Sequence, residues 1–473
     1  MAAATVMLAV LMLFSVPAQA RAQVLTFEEA WARIQETHEG IRAERQALER
    51  VKNTREAARA LKRPSIKLNA SYTHLSDPIQ LNILDLAPLD SIGDSQLGQI
   101  LGELLETIGI SPDDVNRAFT TDFTEQDIFF SNLMALWPIY AGGRVDAAQE
   151  IREAQVLEAE QRVDLKVRST FDDTAKYYFG VVLAEKVIET REMAEMALDR
   201  HLDHALKLEE QGQIARVERL SAQVTRDRAA VATRKSEDDL EIARLALASL
   251  LGEGDAFHPI SPLFINTELP PAEDFIEQTL QSFPGLKILS ARAEQANGLI
   301  EVESGARLPE VFAFGNVIAY KDDSLASEMM PDWAVGVGLS FEILDRTGQS
   351  GKIEAARSAI LQVQHLDRQA RRDLKVLVEK TWQEAIQART EYDGLESSLE
   401  LAEENIDLRE KAFAQGFSTS LEVVDAQLFV TAVRTQRMAA AYNYVNALTR
   451  LLSLSGQRDA MTHYQESGVE VTP

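Results

Sequence analysis

The chain has 473 residues, no cysteine and a formal charge of −26, set by 74 Asp and Glu against 48 Lys and Arg. The missing cysteines exclude disulfides, thiolate metal sites, a cysteine nucleophile and an acylated N-terminal cysteine anchor. The acidic balance argues against a nucleic-acid partner, whose phosphates need neutralisation by Lys and Arg.

Ala2 to Val16 form an apolar run followed by Pro17-Ala18-Gln19-Ala20, a small-x-small site of the signal-peptidase type, so residues 1–22 read as a signal peptide and the protein as exported. The run is atypical in having no Lys or Arg before it. No later stretch holds 18 or more consecutive apolar residues, so no mature transmembrane helix is expected, and any membrane crossing must be made by strands.

Thr26 and Glu29 have the spacing of a capping box and open a Pro-free, Ala-rich helix expected to run to about Lys62. Strands follow at 65–75 and 128–140. Between them lies a loop, residues 76–127, in which Leu97, Ile100, Leu101, Leu104, Leu105 and Ile108 suggest a short amphipathic helix able to cover or pad a rim. Gly142 and Gly143 mark a strand-to-helix junction. Residues 144–211 then contain no Pro and no Gly except Gly180, so one helix would extend about 100 Å at 1.5 Å per residue. It turns at Gly212 and returns to Gly252, which makes 144–252 a helical hairpin.

The chain then says this again. A helix is expected from 273 to 307, interrupted near Pro284-Gly285, with strands at 310–320 and 332–344 around a short loop, 322–331, and a second hairpin at 350–456 turning at Gly416. Gly212 falls on Gly416, Trp137 on Phe341, Tyr178 on Trp382 and Gly252 on Gly456, all 204 positions apart. Length alone would suggest about three domains; the duplication instead divides the chain into a first repeat, 23–256, a second repeat, 257–460, and a C-terminal tail, 461–473.

Trp333, Val335, Val337, Leu339 and Phe341 alternate with Ala334, Gly336, Gly338 and Ser340, which is the lipid-out, lumen-in pattern of a membrane barrel and equally the period of a soluble sandwich strand. A shift of 204 puts Phe129, Ser131, Leu133, Ala135 and Trp137 on the corresponding outer face. The 310–320 strand alternates poorly, with Phe312 and Phe314 opposite Val311 and Ala313. Four strands cannot close a barrel, for which about eight are needed, so several chains must share one. In the second hairpin a heptad seam runs Leu374, Val378, Thr381, Ala385, Ala388, Tyr392, Leu395, Leu399, Ala402, Ile406, Arg409, Phe413. The first keeps it at Tyr177, Val181, Ala184 and Ile188, breaks it at Arg191 and Glu195, and resumes at Leu198, Leu202 and Ala205. Either a hollow barrel of helices or a plain antiparallel coiled coil satisfies such seams.

This order of elements resembles the TolC-like outer membrane efflux family over almost the whole mature chain. The stretch Gly416-Phe417-Ser418-Thr419-Ser420-Leu421-Glu422-Val423-Val424-Asp425-Ala426-Gln427 is similar to the family's turn at the periplasmic tip, and Leu136 to Arg144 to its strand-to-helix junction. The resemblance implies a mainly α fold with a membrane β part: a homotrimer in which four strands per chain complete a twelve-stranded barrel in outer-membrane lipid, above a coiled-coil α-barrel in the periplasm. It implies as partners a periplasmic adaptor and an inner-membrane pump, and as function a passive exit duct for small molecules or proteins, in efflux or type I secretion.

By the same resemblance Glu422 and Asp425 form a periplasmic gate and selectivity ring. Their i, i+3 spacing puts both carboxylates on one helix face; six of them in a trimer would favour cations, and their repulsion would raise some of the pKa values. The first repeat has Glu218 and Ser221 in these columns. Phe413 and Ser418 stand where some relatives have a Tyr and an Arg that lock the tip. Gly212, Gly416, Phe413 and Ser418 mark the turns at which an adaptor would dock.

Gly348-Gln349-Ser350-Gly351-Lys352-Ile353 lacks the first Gly and the hydroxyl of a phosphate loop and reads as a strand-to-helix turn. His201 and His204, at i, i+3, read as a solvated pair rather than metal ligands. No catalytic motif appears, and no cofactor or metal is expected. The competing readings are a periplasmic adaptor or structural coiled coil, which should carry one hairpin between compact β domains, and a helical-bundle enzyme, which should cluster His and carboxylates on facing helices.

Overall fold

Each of the two long hairpins is preceded by a pair of strands in the computed structural model, which describes residues 23–82, 117–252, 257–343 and 348–472 with isolated positions between 100 and 114. The expected signal peptide lies outside the described residues, as does most of the helix expected at 97–108. In the first half the elements are β1 (Gln23–Leu25), α1 (Phe27–Thr37), α2 (Glu39–Arg59), β2 (Ser65–His74), β3 (Gln80–Asn82), β4 (Thr120–Asp122), β5 (Asp127–Ala141), α3 (Arg144–Glu210) and α4 (Arg216–Leu251). The second half has β6 (Phe257–Pro259), β7 (Phe264–Ile265), α5 (Ala272–Ser282), α6 (Pro284–Gly305), β8 (Glu310–Tyr320), α7 (Leu325–Glu328), β9 (Trp333–Ser340), α8 (Gln349–Ala414), α9 (Ser420–Ser455), α10 (Met461–Ser467) and β10 (Val469–Glu470). Two compact units draw on both halves: one takes the chain up to Lys52, Gln155–Ala293 and Leu361 onward, the other Asn53–Ala154 and Glu294–Ile360.

The second unit holds an antiparallel sheet in the order β2-β5-β8-β9, whose edges, β2 and β9, have no strand partner among the described residues. Along β9 the alternation is as read: Trp333, Val335, Val337 and Leu339 are 64 to 73% exposed. The irregular β8 is explained by register. Phe312 pairs with Gly338 and Phe314 with Gly336, and a Cβ on either glycine would stand 2.5 to 2.7 Å from the facing ring. Those glycines are small because two phenyl rings lie across them, a cross-strand packing that stabilises glycine in a sheet. On the same face Asn69 donates to Asn132 (3.2 Å) and Asn132 to Asn316 (2.6 Å), a polar ladder across three strands. Two expectations are corrected. Ser131 is not an exposed outer residue but buried beside a bulge, and β9 ends at Ser340, leaving Phe341 beyond it. The long loop also contains an unforeseen pair, β3 with β4.

The first unit carries the core. Phe27 and Trp31 pack edge-on to Phe171 (5.7 and 5.0 Å between ring centroids), and buried Tyr178 donates to the Leu25 carbonyl (2.7 Å) while accepting from the Ile260 and Ser261 N–H groups. β1 pairs with β6 and β7 with β10. Residues 461–472, set apart as a tail, fold back here and bury Met461 and Val471. The expected helix from Thr26 to Lys62 is in fact broken at His38, whose backbone (φ −64°, ψ 117°) matches that of Phe283 (φ −64°, ψ 121°) before Pro284.

The second hairpin's seam is buried as read at Leu374, Val378, Thr381, Ala385, Ala388, Tyr392, Leu399, Ala402 and Phe413. In the first hairpin the seam passes the two charges through Thr190, Ala194, Leu198, His201 and Ala205, all buried. The reading of a solvated histidine pair is therefore corrected for His201: it is a core residue, and only His204 is exposed.

Candidate functional site

α8 ends because Gly416 takes a left-handed φ of 76° and lets the Phe417 N–H reach back to the Ala412 carbonyl (2.8 Å), the six-to-one bond of a Schellman turn. Gly212, φ 72°, does the same for α3, with the Gln213 N–H on the Leu208 carbonyl (2.9 Å). Past Gly416, Thr419 caps α9. Its hydroxyl accepts the Glu422 N–H (3.3 Å) and Glu422 accepts the Thr419 N–H in return (2.9 Å). Ser418 donates to the same carboxylate oxygen (2.7 Å), and Arg409 approaches the other (2.9 Å).

These donors hold the Glu422 carboxyl down at about 2, the Thr419 N–H first, then the Ser418 hydroxyl, with the Arg409 charge adding to them. Within one chain this is opposite to the upward shift expected from a crowded ring. Asp425, one turn on, is exposed and has no partner among the described residues. The two acids therefore differ: Glu422 is committed to the turn, and Asp425 is free.

The first hairpin departs from the second. Ala215 stands where Thr419 would, and α4 has no side-chain cap. Its Glu218 instead accepts the Ser420 N–H of the other hairpin (2.9 Å). His201 shares a hydrogen bond with the Ser420 hydroxyl (2.8 Å) and packs on the Phe413 ring, 4.6 Å between centroids. Burial first, and His204 second, push the His201 imidazole down to about 4, so it is neutral at pH 7. Phe413, Val423, Ala205 and Ala222 make a small apolar core beneath these bonds. The tip is thus one assembly of two hairpins.

Glu422, Phe413, Ser418, Gly416 and Gly212 come together there. Gly142 and Gly143 belong to the other unit, where β5 turns into α3 with φ of 63° and 78°. A Cβ on Gly142 would collide with the Gly305 carbonyl, and one on Gly305 with that of Gly142. Sequence reading missed Gly305, Thr419, Arg409 and the Glu218–Ser420 link. Two had a signal: Thr419 stands three before Glu422, and Arg409 is a charge at a seam position.

Residues 32–253 and 275–457 match the outer membrane efflux protein family, and the chain belongs to it. No curated protein matches the chain in sequence. Among solved structures, CusC, described in terms of transmembrane channel formation, superposes with a TM-score of 0.72 at 14% identity over 90% of this chain and 91% of that one. VceC of Vibrio cholerae gives 0.70 at 12%, covering 91% and 96%. The open state of the MtrE outer membrane channel of Neisseria gonorrhoeae gives 0.70 at 16%, covering 91% and 89%. These likenesses establish the fold; the family places the chain in the outer membrane among efflux channels.

Proposed function

We propose that three copies of this chain close a twelve-stranded barrel in the outer membrane and a helical tunnel in the periplasm, which together form the passive exit duct of a tripartite efflux pump. The observation that carries this is the open four-stranded sheet. One face is a lipid-ready run of exposed apolar side chains, the other carries the asparagine ladder, and both edges lack a strand partner among the described residues. Unpaired strand edges cannot stand in hydrocarbon, so the sheet needs closure by further strands. The repeats at 23–256 and 257–460 would then alternate around the pore. A periplasmic adaptor would dock at the turns around Gly212 and Gly416, where Phe417 is 83% exposed, and an inner-membrane pump would supply the energy. The same duct would serve type I secretion of proteins.

At the tip, Asp425 would face the lumen as the free carboxylate, with Glu422 holding the turn that presents it. A ring of carboxylates favours cations over anions. The test is the reversal potential of the reconstituted channel across a salt gradient. Glu422→Ala with Asp425→Ala is expected to reduce cation preference and raise conductance, and Asp425→Asn alone to account for most of the selectivity change. An unaltered reversal potential in the double variant would retire the gate assignment.

A further inference from the structure

Arg168, on α3, is 7% exposed and closes two helix ends at once. Its Nη1 donates to the Ser453 and Leu454 carbonyls in the last turn of α9 (3.1 and 3.0 Å), and its Nη2 to the Ser282 carbonyl that ends α5 (3.1 Å). A guanidinium suits this place because the last carbonyls of a helix lack partners and carry its negative pole. The Ser282 hydroxyl donates to the Ser455 carbonyl (2.8 Å), and Gly456, φ 81°, completes the socket.

The first half of the chain builds the same socket, but among the described residues no arginine donates to its carbonyls: Arg42, which lines it, bonds the Glu36 carbonyl (2.9 Å) and the Glu39 carboxylate (3.0 Å) instead. α1 ends at His38 with the backbone angles of Phe283. The Thr37 hydroxyl donates to the Leu251 carbonyl (3.4 Å), in the columns of Ser282 and Ser455. Gly252, φ 78°, ends α4 as Gly456 ends α9. Here an open cavity of about 310 Å³ is lined by Thr37, Ser249, Leu250 and Gly252, the columns of Ser282, Ser453, Leu454 and Gly456. A Cβ on Gly456 would stand 3.0 Å from Arg168, whereas one on Gly252 would have nothing within 4 Å.

The residue 204 positions after Arg168 is Arg372, on α8. It is exposed, with no hydrogen-bond or ion-pair partner among the described residues. The surfaces around key and socket are bare as well. Val376 on α8 and Leu245 on α4 are 68% and 65% exposed, while Thr449, in the Leu245 column, is 1% exposed. α4 and α9 have the same length, 36 residues, yet α4 buries six of them and α9 twenty.

We infer that Arg372 of one copy enters the Thr37–Ser249–Leu250 socket of the next copy and donates to those three carbonyls, repeating between chains the clamp that Arg168 makes within each. This rests on the trimeric reading above. Three sockets are then filled from within and three from a neighbour, so the register of every seam is set by an arginine at the ends of two helices. A charge-assisted, forked contact of this kind is geometrically selective, and lysine does not reproduce it.

The full chain has no cysteine, so introduced pairs report cleanly. Arg372→Cys with Ser249→Cys, treated in the assembled protein with a bis-maleimide of arginine-like reach, is expected to give covalent dimers and trimers on a denaturing gel. Neither single variant should do so. By native mass spectrometry in detergent, Arg372→Ala is expected to shorten the trimer lifetime on the order of tenfold, with Arg372→Lys restoring only part of it. A wild-type trimer whose double variant stays uncrosslinked, and whose Arg372→Ala form dissociates at the wild-type rate, would overturn the socket and leave the trimer standing. A folded wild-type monomer would overturn both.

Discussion

Gly142 and Gly143 adjoin in sequence but bear different constraints. Both have positive φ, which costs a residue with a side chain about 1–2 kcal/mol. Only Gly142 also touches the Gly305 backbone, while a Cβ on Gly143 would meet nothing within 4 Å. Gly142→Ala and Gly305→Ala are therefore expected to lose most folded protein from the membrane, and Gly143→Ala to lose little, as immunoblots of outer-membrane fractions would register. Equal loss at 142 and 143 would refute the backbone contact. The sequence marks the junction by its glycine pair, and Ser304-Gly305 marks a helix end, but nothing in it shows that Gly305 meets Gly142, 163 positions away. Glu422 teaches a similar lesson. The Gly turn makes it visible as an acid near a tip, and the capping-box spacing from Thr419 is readable, while its bonds to Ser418 and Arg409 are a matter of three-dimensional geometry. With its folded pKa about 2, below the ordinary 4.5, its contribution to the turn is fully present above pH 4.5 and is lost as pH falls towards 2. A tip held by this cap should open no more readily at pH 5 than at pH 8.

Among the elements, β9 and β8 show what periodicity can and cannot tell. β9 alternates large with small, and its exposed face follows directly. β8 looks irregular until its register is known, because Phe312 and Phe314 fill the space that Gly338 and Gly336 leave on the neighbouring strand. If the Val335–Leu339 face meets lipid, Val337→Lys should cost about 2–4 kcal/mol. Ala334→Lys, on the opposite face, should be tolerated. The folded fraction in urea after reconstitution into vesicles would distinguish them; equal tolerance at both positions would point to a water-exposed sheet. The helix break at His38 was not legible alone, since the residue after it is Glu39, whereas Pro284 announces the same break in the second half. The break at His38 could have been inferred only by carrying Pro284 back through the repeat.

For the whole molecule, the order of elements and its duplication make the architecture legible from the sequence, because each half repeats strand, junction, long helix, glycine turn and return. The half-empty surfaces are less legible. Exposed Leu245 and Val376 have ordinary heptad surroundings, and only comparison between the halves, where Thr449 in the Leu245 column is buried, sets them apart. No described helix is long and apolar enough to cross a membrane, and the proposed pore would be built from the four-stranded sheets of several copies. The direct measurement is single-channel conductance of the purified, detergent-extracted protein in a planar bilayer. Discrete, cation-selective steps are predicted. Folded protein that inserts yet never conducts, or a water-soluble form that leaves the bilayer silent, would contradict the exit duct.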